Sequence, residues 1–135
     1  MITIKDYFGK WMTNKDVTDP VRENAKELIA RVNMLLDWYR KTGGELHYNP
    51  CTGNCVSGET FGGFRPQFCT IGAPASAHKT GMAVDVYDPD GKLDDWITDS
   101  ILETVNLYRE APSATAGWTH LSIRAPKSGK RSFLP

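Results

Sequence analysis

The stretch Pro74-Ala75-Ser76-Ala77-His78-Lys79-Thr80-Gly81-Met82-Ala83-Val84-Asp85-Val86-Tyr87-Asp88 decides how the rest of the chain is read. Met82, Val84 and Val86 alternate with Ala83, Asp85 and Tyr87, a period of two that predicts a strand after the turn at Gly81. On such a strand Asp85 points to the face opposite Met82, Val84 and Val86. A carboxylate on an otherwise buried strand needs a cation or several hydrogen-bond donors. His78 lies beyond the turn, and a loop folding over the strand brings it to the same point. A second imidazole, His120, sits in another strand-like run, Gly117-Trp118-Thr119-His120-Leu121-Ser122-Ile123. Two imidazoles and one carboxylate are enough to hold a zinc ion with one position left open for water. The alternative leaves His78 exposed and pairs Asp85 with Arg65 or a lysine, and spacing alone does not separate the two.

Upstream, Thr18-Asp19-Pro20 reads as a helix start, with Asp19 as the cap and Pro20 at the first helical position. Val21, Ala25, Leu28, Ile29, Val32, Leu35, Leu36 and Tyr39 then recur at helical spacing. They predict one apolar face of a helix over about 20–41, ended by Gly43-Gly44. Arg22, Glu23, Lys26, Glu27, Arg31 and Arg40 fall mostly off that face and read as a solvated surface. The aromatic segment Tyr7-Phe8-Gly9-Lys10-Trp11 is read as packing on the core. Residues 45–73 are irregular, with short strands at Leu46-His47-Tyr48 and Cys55-Val56 and turns at Asn49-Pro50, Thr52-Gly53-Asn54 and Ser57-Gly58. His47 reads as a surface or half-buried histidine. Arg65 is either a surface charge or a donor aimed into a cleft.

Downstream, Asp88-Pro89-Asp90-Gly91 marks a turn. Leu93, Trp96, Ile97, Ile101, Leu102 and Val105 predict a second helix over 92–105. Asp94, Asp95 and Asp99 lie in its first half, where the helix dipole favours them, and are read as solvated carboxylates. They lack the glycine and distal glutamate of a calcium loop. Asn106–Glu110 and Trp118–Ile123 predict two strands around the loop Pro112–Gly117. With Glu110 opposite Trp118 and Tyr108 opposite His120, Glu110 and His120 share one face as diagonal neighbours. A slip of one residue would send one of them to the other face. The basic, turn-rich tail from Ala125 to Pro135 is expected to wrap the domain, anchored by Phe133 and Leu134.

The bulk properties narrow the function classes. At 135 residues, one domain spanning 1–135 is expected, with residues 1–44 as an N-terminal segment and helix and 45–135 as sheet, second helix and metal site. The formal net charge is +0, which argues against phosphate-driven nucleic-acid binding. There is no apolar run long enough to span a membrane. The N-terminus has no charged segment followed by an apolar one, so it does not read as a signal peptide and synthesis in a cytoplasm is expected. The three cysteines, Cys51, Cys55 and Cys69, are an odd count without paired C-x2-C spacing. They read as small buried thiols and not as disulfides or a second zinc site.

The pattern Ser76-x-His78-x-x-Gly81-x-Ala83-x-Asp85, followed by Trp118-x-His120, resembles the zinc D-Ala-D-Ala carboxypeptidase family. That family includes vancomycin-resistance dipeptidases and phage L-Ala-D-Glu endolysins. Gly62-Gly63-Phe64-Arg65-Pro66 looks like the family's Ser-Gly-Tyr-Arg segment. The C-terminal part is similar to a compact branch common in bacteriophages. The resemblance covers about residues 56–135 and is loose in the N-terminal third. It implies a small α+β domain of the hedgehog/DD-peptidase type, with helices on one side of an antiparallel sheet and a zinc cleft on the other. His78, Asp85 and His120 would be the zinc ligands. Arg65 would stabilise the polarised substrate carbonyl, Ser76 would orient the metal site, and Trp118 would lie against the metal site or substrate. The substrate would be a peptidoglycan stem peptide, met by a monomer after release from the host cytoplasm or within a virion.

One departure matters. The family usually places a catalytic Glu or Asp three residues before the last histidine, where this chain has Gly117. Either Glu110 reaches the attacking water from the neighbouring strand, or the site binds zinc and has lost its general base. In the second case the protein is a non-catalytic virion or wall-binding module.

Overall fold

Thr18 adopts an extended backbone and its hydroxyl accepts a hydrogen bond from Val21 N, which starts helix α2, Asp19–Lys41. Thr18 is thus the cap expected of Asp19. Asp19 is already helical and Pro20 sits within the first turn, where a missing N–H costs nothing. The buried residues of α2 are Val21, Ala25, Leu28, Ile29, Val32, Leu35, Leu36 and Tyr39, the stripe expected from the spacing. A computed structural model describes residues 1–135. Ahead of α2 lies the short helix α1, Ile4–Phe8, opened by a reciprocal cap between Thr3 and Asp6. Its Tyr7 and Phe8 are buried, and Phe8 packs on Phe64 with ring centroids 5.5 Å apart.

The chain is an α+β fold with a four-stranded sheet. Strands β1 (Ala83–Tyr87), β2 (Tyr108–Glu110), β3 (Trp118–Ser122) and β4 (Ser132–Phe133) lie in the order β1-β3-β2-β4. β3 is antiparallel to both β1 and β2, but β4 runs parallel to β2. The sheet is therefore mixed, not antiparallel as expected. β3 ends beside the start of β2, Ser122 opposite Tyr108, and the segment 123–131 crosses to the far edge of β2 at that same end, so the strand it adds runs with β2. Arg109 N donates to Arg131 O and Ala111 N to Phe133 O, which fixes the tail by its backbone. Phe133 is half-buried, whereas Leu134 is 73% exposed and anchors nothing.

Val84, Val86 and Leu121 join the stripe of α2 in one cluster of 23 buried apolar residues. On β1 and β3 the alternate residues Asp85 and His120 face away from it, by the pleat of the strands. On its other edge β1 is flanked by an irregular segment. Val56 bridges to Val86, Tyr87 N donates to Cys55 O and Ser57 N donates to Asp85 O at 2.8 Å. Leu46–Tyr48, expected as a strand, is irregular. Cys55 and Cys69 are buried as expected, but Cys51 is exposed, and all three are free thiols.

The single helix expected over 92–105 is two helices, α3 (Lys92–Trp96) and α4 (Asp99–Val105). Ile97 takes an extended backbone, and the Thr98 hydroxyl then accepts from Ile101 N and caps a new helix. Ile97 stays buried, so the break preserves the apolar face that the spacing revealed. Asp94 also departs from expectation: it is buried, 3.4 Å from Arg109 Nη1, and accepts from the Thr115 hydroxyl. Burial pushes its carboxyl above the ordinary range against the pull of Thr115 and Arg109. Asp95 and Asp99 are exposed.

Asp88 ends the strand β1 and starts α3. Its carboxylate accepts from Leu93 N at 3.1 Å, Asp94 N at 3.0 Å and the Thr119 hydroxyl at 3.2 Å, while its own N–H donates to Gly117 O. One side chain thereby joins α3 to the strand carrying His120. Asp88→Ala leaves buried N–H groups without acceptors and should lower stability by about 3 kcal/mol. Asp88→Asn, which keeps one acceptor oxygen, should cost clearly less. Urea denaturation of the three proteins checks this, and equal midpoints would contradict it.

Candidate metal centre

Asp85 and His120 are directly opposed in the β1–β3 ladder, so the pairing alone brings them together. His120 Nδ1 is 2.9 Å from Asp85 Oδ1. His78 arrives from a 3₁₀ turn, Ala77–Thr80, that packs back against β1. The Ser76 hydroxyl caps this turn by accepting from His78 N, and Gly81 closes it with a left-handed backbone, φ 77°. A side chain at Gly81 would meet the backbone oxygen of Val21, so α2 and the turn approach closely only because Gly81 has none. His78 Nε2 ends 3.3 Å from the same Asp85 Oδ1. All three side chains are buried.

The segment Gly62-Gly63-Phe64-Arg65 supplies the outer contacts. Gly62 O accepts from Asp85 N at 2.7 Å, and Gly63 O faces His78 Nδ1 at 2.7 Å. Phe64 N donates to Tyr7 O and Arg65 N to His78 O. Arg65 donates from Nη2 to Asp85 Oδ2, from Nε to Phe61 O and from Nη1 to Ile71 O. Arg65 is therefore not a surface charge, and much of its donor capacity is spent on Asp85 and the backbone. The Tyr7 hydroxyl donates to Ala83 O, and burial, with Asp85 nearby, holds its pKa well above the ordinary phenol value.

These partners set the chemistry of the donor atoms. A carbonyl only accepts, so His78 Nδ1 carries the proton that meets Gly63 O, and His78 Nε2 presents a lone pair in the neutral ring. That lone pair, His120 Nδ1 and Asp85 Oδ1 lie within 4.8 Å of one another. Left alone, the carboxylate oxygen and the two nitrogens require a proton or a cation between them. With a proton in place of an ion on the imidazoles, burial opposes ionisation of Asp85, but the positive charge then on His78 and the hydrogen bonds from His120 and His78 outweigh it and hold the carboxyl well below the ordinary range. A neutral-nitrogen, carboxylate set of this kind can hold a divalent metal ion. Arg65 occupies Asp85 Oδ2 and leaves Oδ1 as the oxygen presented to the ion.

Glu110 lies beside this group. The ladder pairs Tyr108 with Ser122 and Arg109 with Leu121, so the next step places Glu110 across from His120. The expected register, Glu110 opposite Trp118, is corrected by two residues. Asn106 closes α4 in a left-handed conformation, φ 56°, Leu107 is buried, and the connection beyond β2 holds a 3₁₀ turn at Pro112–Ala114. A shift of two keeps the same face, so Glu110 still points to the site. Its Oε2 is 3.9 Å from His120 Nδ1. Gly117 has φ 99° and contributes its carbonyl to Asp88 N, not a side chain to the site.

Asp85, His78, His120, Glu110 and Arg65 line a cleft of about 470 Å³, together with Ser76 and Trp118. Trp118 and Arg65 also line an adjoining cleft of about 500 Å³ along Ser57–Gly62. Sequence reasoning missed three contributors. Gly63 acts through its carbonyl, Phe133 brings its ring edge-on to His120 with centroids 6.3 Å apart, and Arg124 reaches the cleft from beyond β3. Only the Gly62-Gly63 pair carried a signal, because adjacent glycines mark close backbone approach. His47 pairs with Asp90, 3.1 Å away, and takes no part. No protein-family model, curated protein or solved structure matches the chain.

A Cβ at Gly63 would collide with the backbone oxygen of Tyr7. Gly63→Ala must then shift the carbonyl that orients His78. We expect it to lower the thermal midpoint and to weaken divalent-metal binding about tenfold or more, the range typical of lost outer contacts to a ligating histidine. A chelator-competition titration measures the second effect. Unchanged affinity would show that Gly63 O does not orient His78.

Proposed function

We propose that the protein is a zinc metallopeptidase that hydrolyses an amide bond in the peptide stem of bacterial peptidoglycan. The reading rests on one observation: His78 Nε2, His120 Nδ1 and Asp85 Oδ1 converge at the floor of a cleft whose wall carries a further carboxylate, Glu110. The sequence resemblance to zinc D-Ala-D-Ala carboxypeptidases and phage L-Ala-D-Glu endolysins supports the substrate class. It also supports a hedgehog/DD-peptidase-type fold, with which the α+β architecture is compatible. Bound zinc would supply Lewis acidity and lower the pKa of a water toward neutrality.

The chain's own residues account for the rest. Gly63 O fixes the His78 tautomer, and Arg65 holds Asp85 by the oxygen that does not face the imidazoles. Glu110 takes a proton from the attacking water and returns it to the leaving amine, a role open to a carboxylate within reach of that water. Arg65 keeps N–H groups beyond its three bonds, and its charge lies along the cleft where negative charge develops on the substrate carbonyl oxygen. Ser76 positions the His78 turn, and Trp118 forms a wall shared by both clefts. No helix is long and apolar enough to cross a membrane. The proposed setting is a monomeric phage protein, made in the host cytoplasm and acting on the wall after release or from a virion.

A second reading, a zinc-binding but non-catalytic virion or wall-binding module, is favoured by one feature: Gly117 occupies the position where the family usually has its carboxylate. Incubation of zinc-loaded protein with purified stem peptides separates the two. The peptidase reading expects hydrolysis by wild type, a fall of about 10²–10⁴-fold in kcat for Glu110→Gln with zinc retained, and loss of both zinc and activity in His120→Ala. Absence of hydrolysis by wild type favours the module. Full activity in Glu110→Gln would remove Glu110 as the base.

A further inference from the structure

Arg65, Ile71, Asp85 and Trp118 line both clefts, so the one along Ser57–Gly62 opens onto the metal centre. The segment Ser57–Gly62 has no regular secondary structure, yet its backbone is held at every residue but Glu59. Ser57 N donates to Asp85 O at 2.8 Å. Gly58 O accepts from Asn49 Nδ2 at 2.6 Å, Thr60 O from Trp11 Nε1 at 2.8 Å, Phe61 O from Arg65 Nε at 2.8 Å and Gly62 O from Asp85 N at 2.7 Å. Those donors come from separate parts of the chain. A Cβ on Gly62 would collide with Ser57 O, so the ends of the segment touch and Glu59 lies towards its tip, after the left-handed turn at Gly58, φ 75°.

The Glu59 side chain is exposed and has no cationic partner, because the ion pairs of the fold all use other carboxylates. Lys10 shares a neighbouring pocket with it but lies over the Trp11 ring, 4.7 Å from the centroid. Arg65, the cation of the cleft, is buried and committed to Asp85. Asp85 in turn faces Arg65 and the two imidazoles. The Phe61 and Trp118 rings line the same cleft as Glu59, and Phe61 is fixed by stacking on Trp11 with centroids 5.7 Å apart. Aromatic faces attract a cation, and a carboxylate accepts charge-assisted hydrogen bonds from an ammonium group. The cleft therefore holds both kinds of partner for an ammonium ion and no free cation of its own.

We infer that Glu59, with the Phe61 and Trp118 rings, forms an ammonium-binding subsite that selects peptides carrying a free primary amine near the reacting amide. The inference rests on the peptidase reading for placing a peptide at the centre, but not on turnover. Two groups have the required chemistry: the side-chain amine of a diamino acid such as lysine, and a free α-amine at the start of the peptide. The rigid backbone of Ser57–Gly62 limits what binding has to order to the Glu59 side chain itself, which favours selectivity from a single exposed charge.

The test is an NMR titration of the full chain, kept metal-free by a chelator so that no probe is consumed. The probes are a lysine-containing stem peptide with both amines free, with the lysine Nε acetylated, with the α-amine acetylated, and with both acetylated. Wild type should lose about fivefold or more in affinity when one particular amine is acetylated, the sum of an exposed ion pair and a cation–π contact, and that amine identifies the source of the ammonium group. Glu59→Gln should bring the ratio close to one, with the thermal midpoint and the separately measured zinc affinity unchanged. Glu59→Asp, which keeps the charge on a shorter stem, should retain part of the selectivity. Equal binding of all four forms, no measurable binding of any, or selectivity that survives Glu59→Gln would overturn the proposal. Hydrolysis of the same peptides by zinc-loaded protein is scored independently. Amine selectivity without cleavage would remove the peptidase and leave the subsite, and cleavage without amine selectivity would do the reverse.

Discussion

The contact of His120 Nδ1 with Asp85 Oδ1, 2.9 Å across the β1–β3 ladder, is the constraint around which the site is arranged. Asp85 is a buried carboxylate on a strand whose other face belongs to the apolar core. An isolated charge in that position is too costly to keep, so the surrounding chain must satisfy it. It does so from three directions: His120 from the adjacent strand, His78 from the turn ahead of β1, and Arg65 from the loop on the far edge. None of the three is a neighbour of Asp85 in sequence. The surrounding scaffold is closely packed, and the glycines at 62, 63 and 81 allow the backbone of Ser57, Tyr7 and Val21 to approach it.

This dependence links the fold to the proposed chemistry. Gly62 and Gly63 hold Asp85 and His78 through carbonyl contacts, Phe64 buries its ring beside Phe8, and Arg65 closes the ring of contacts on Asp85. A segment with no regular secondary structure thereby orients a ligand set as firmly as a strand would. Asp88 acts similarly on the other side by tying α3 to Thr119, the residue before His120. The site is pre-formed at His78 and Asp85, each of which is held by a second partner, Gly63 O and Arg65 respectively.

What the sequence made legible follows the range of the interactions involved. The stripe of α2 and the alternation in β1 are local periodicities, and both appeared where the spacing put them. His78, Asp85 and His120 were legible as chemistry, and the structure brings their donor atoms together. The break between α3 and α4 was hidden because Leu93, Ile97 and Leu102 keep one apolar face across it. The burial of Asp94 depends on Arg109 and Thr115, which arrive from other elements. The direction of β4 depends on the path of 123–131, and no residue pattern within Ser132–Phe133 encodes it. The two-residue register error at Glu110 came from Asn106 and Leu107. Asn106 caps α4 and Leu107 connects it to β2, so neither belongs to the strand, yet the pleat kept Glu110 on the correct face.

The central claim is that His78, Asp85 and His120 form one metal centre. X-ray absorption spectroscopy on protein loaded with one equivalent of zinc tests it most directly. The account predicts a first shell of nitrogen and oxygen at about 2.0–2.2 Å with multiple scattering from two imidazoles, reduced to one imidazole in His120→Ala. Failure to take up zinc, or a sulfur shell at about 2.3 Å from Cys51, Cys55 or Cys69, would contradict it.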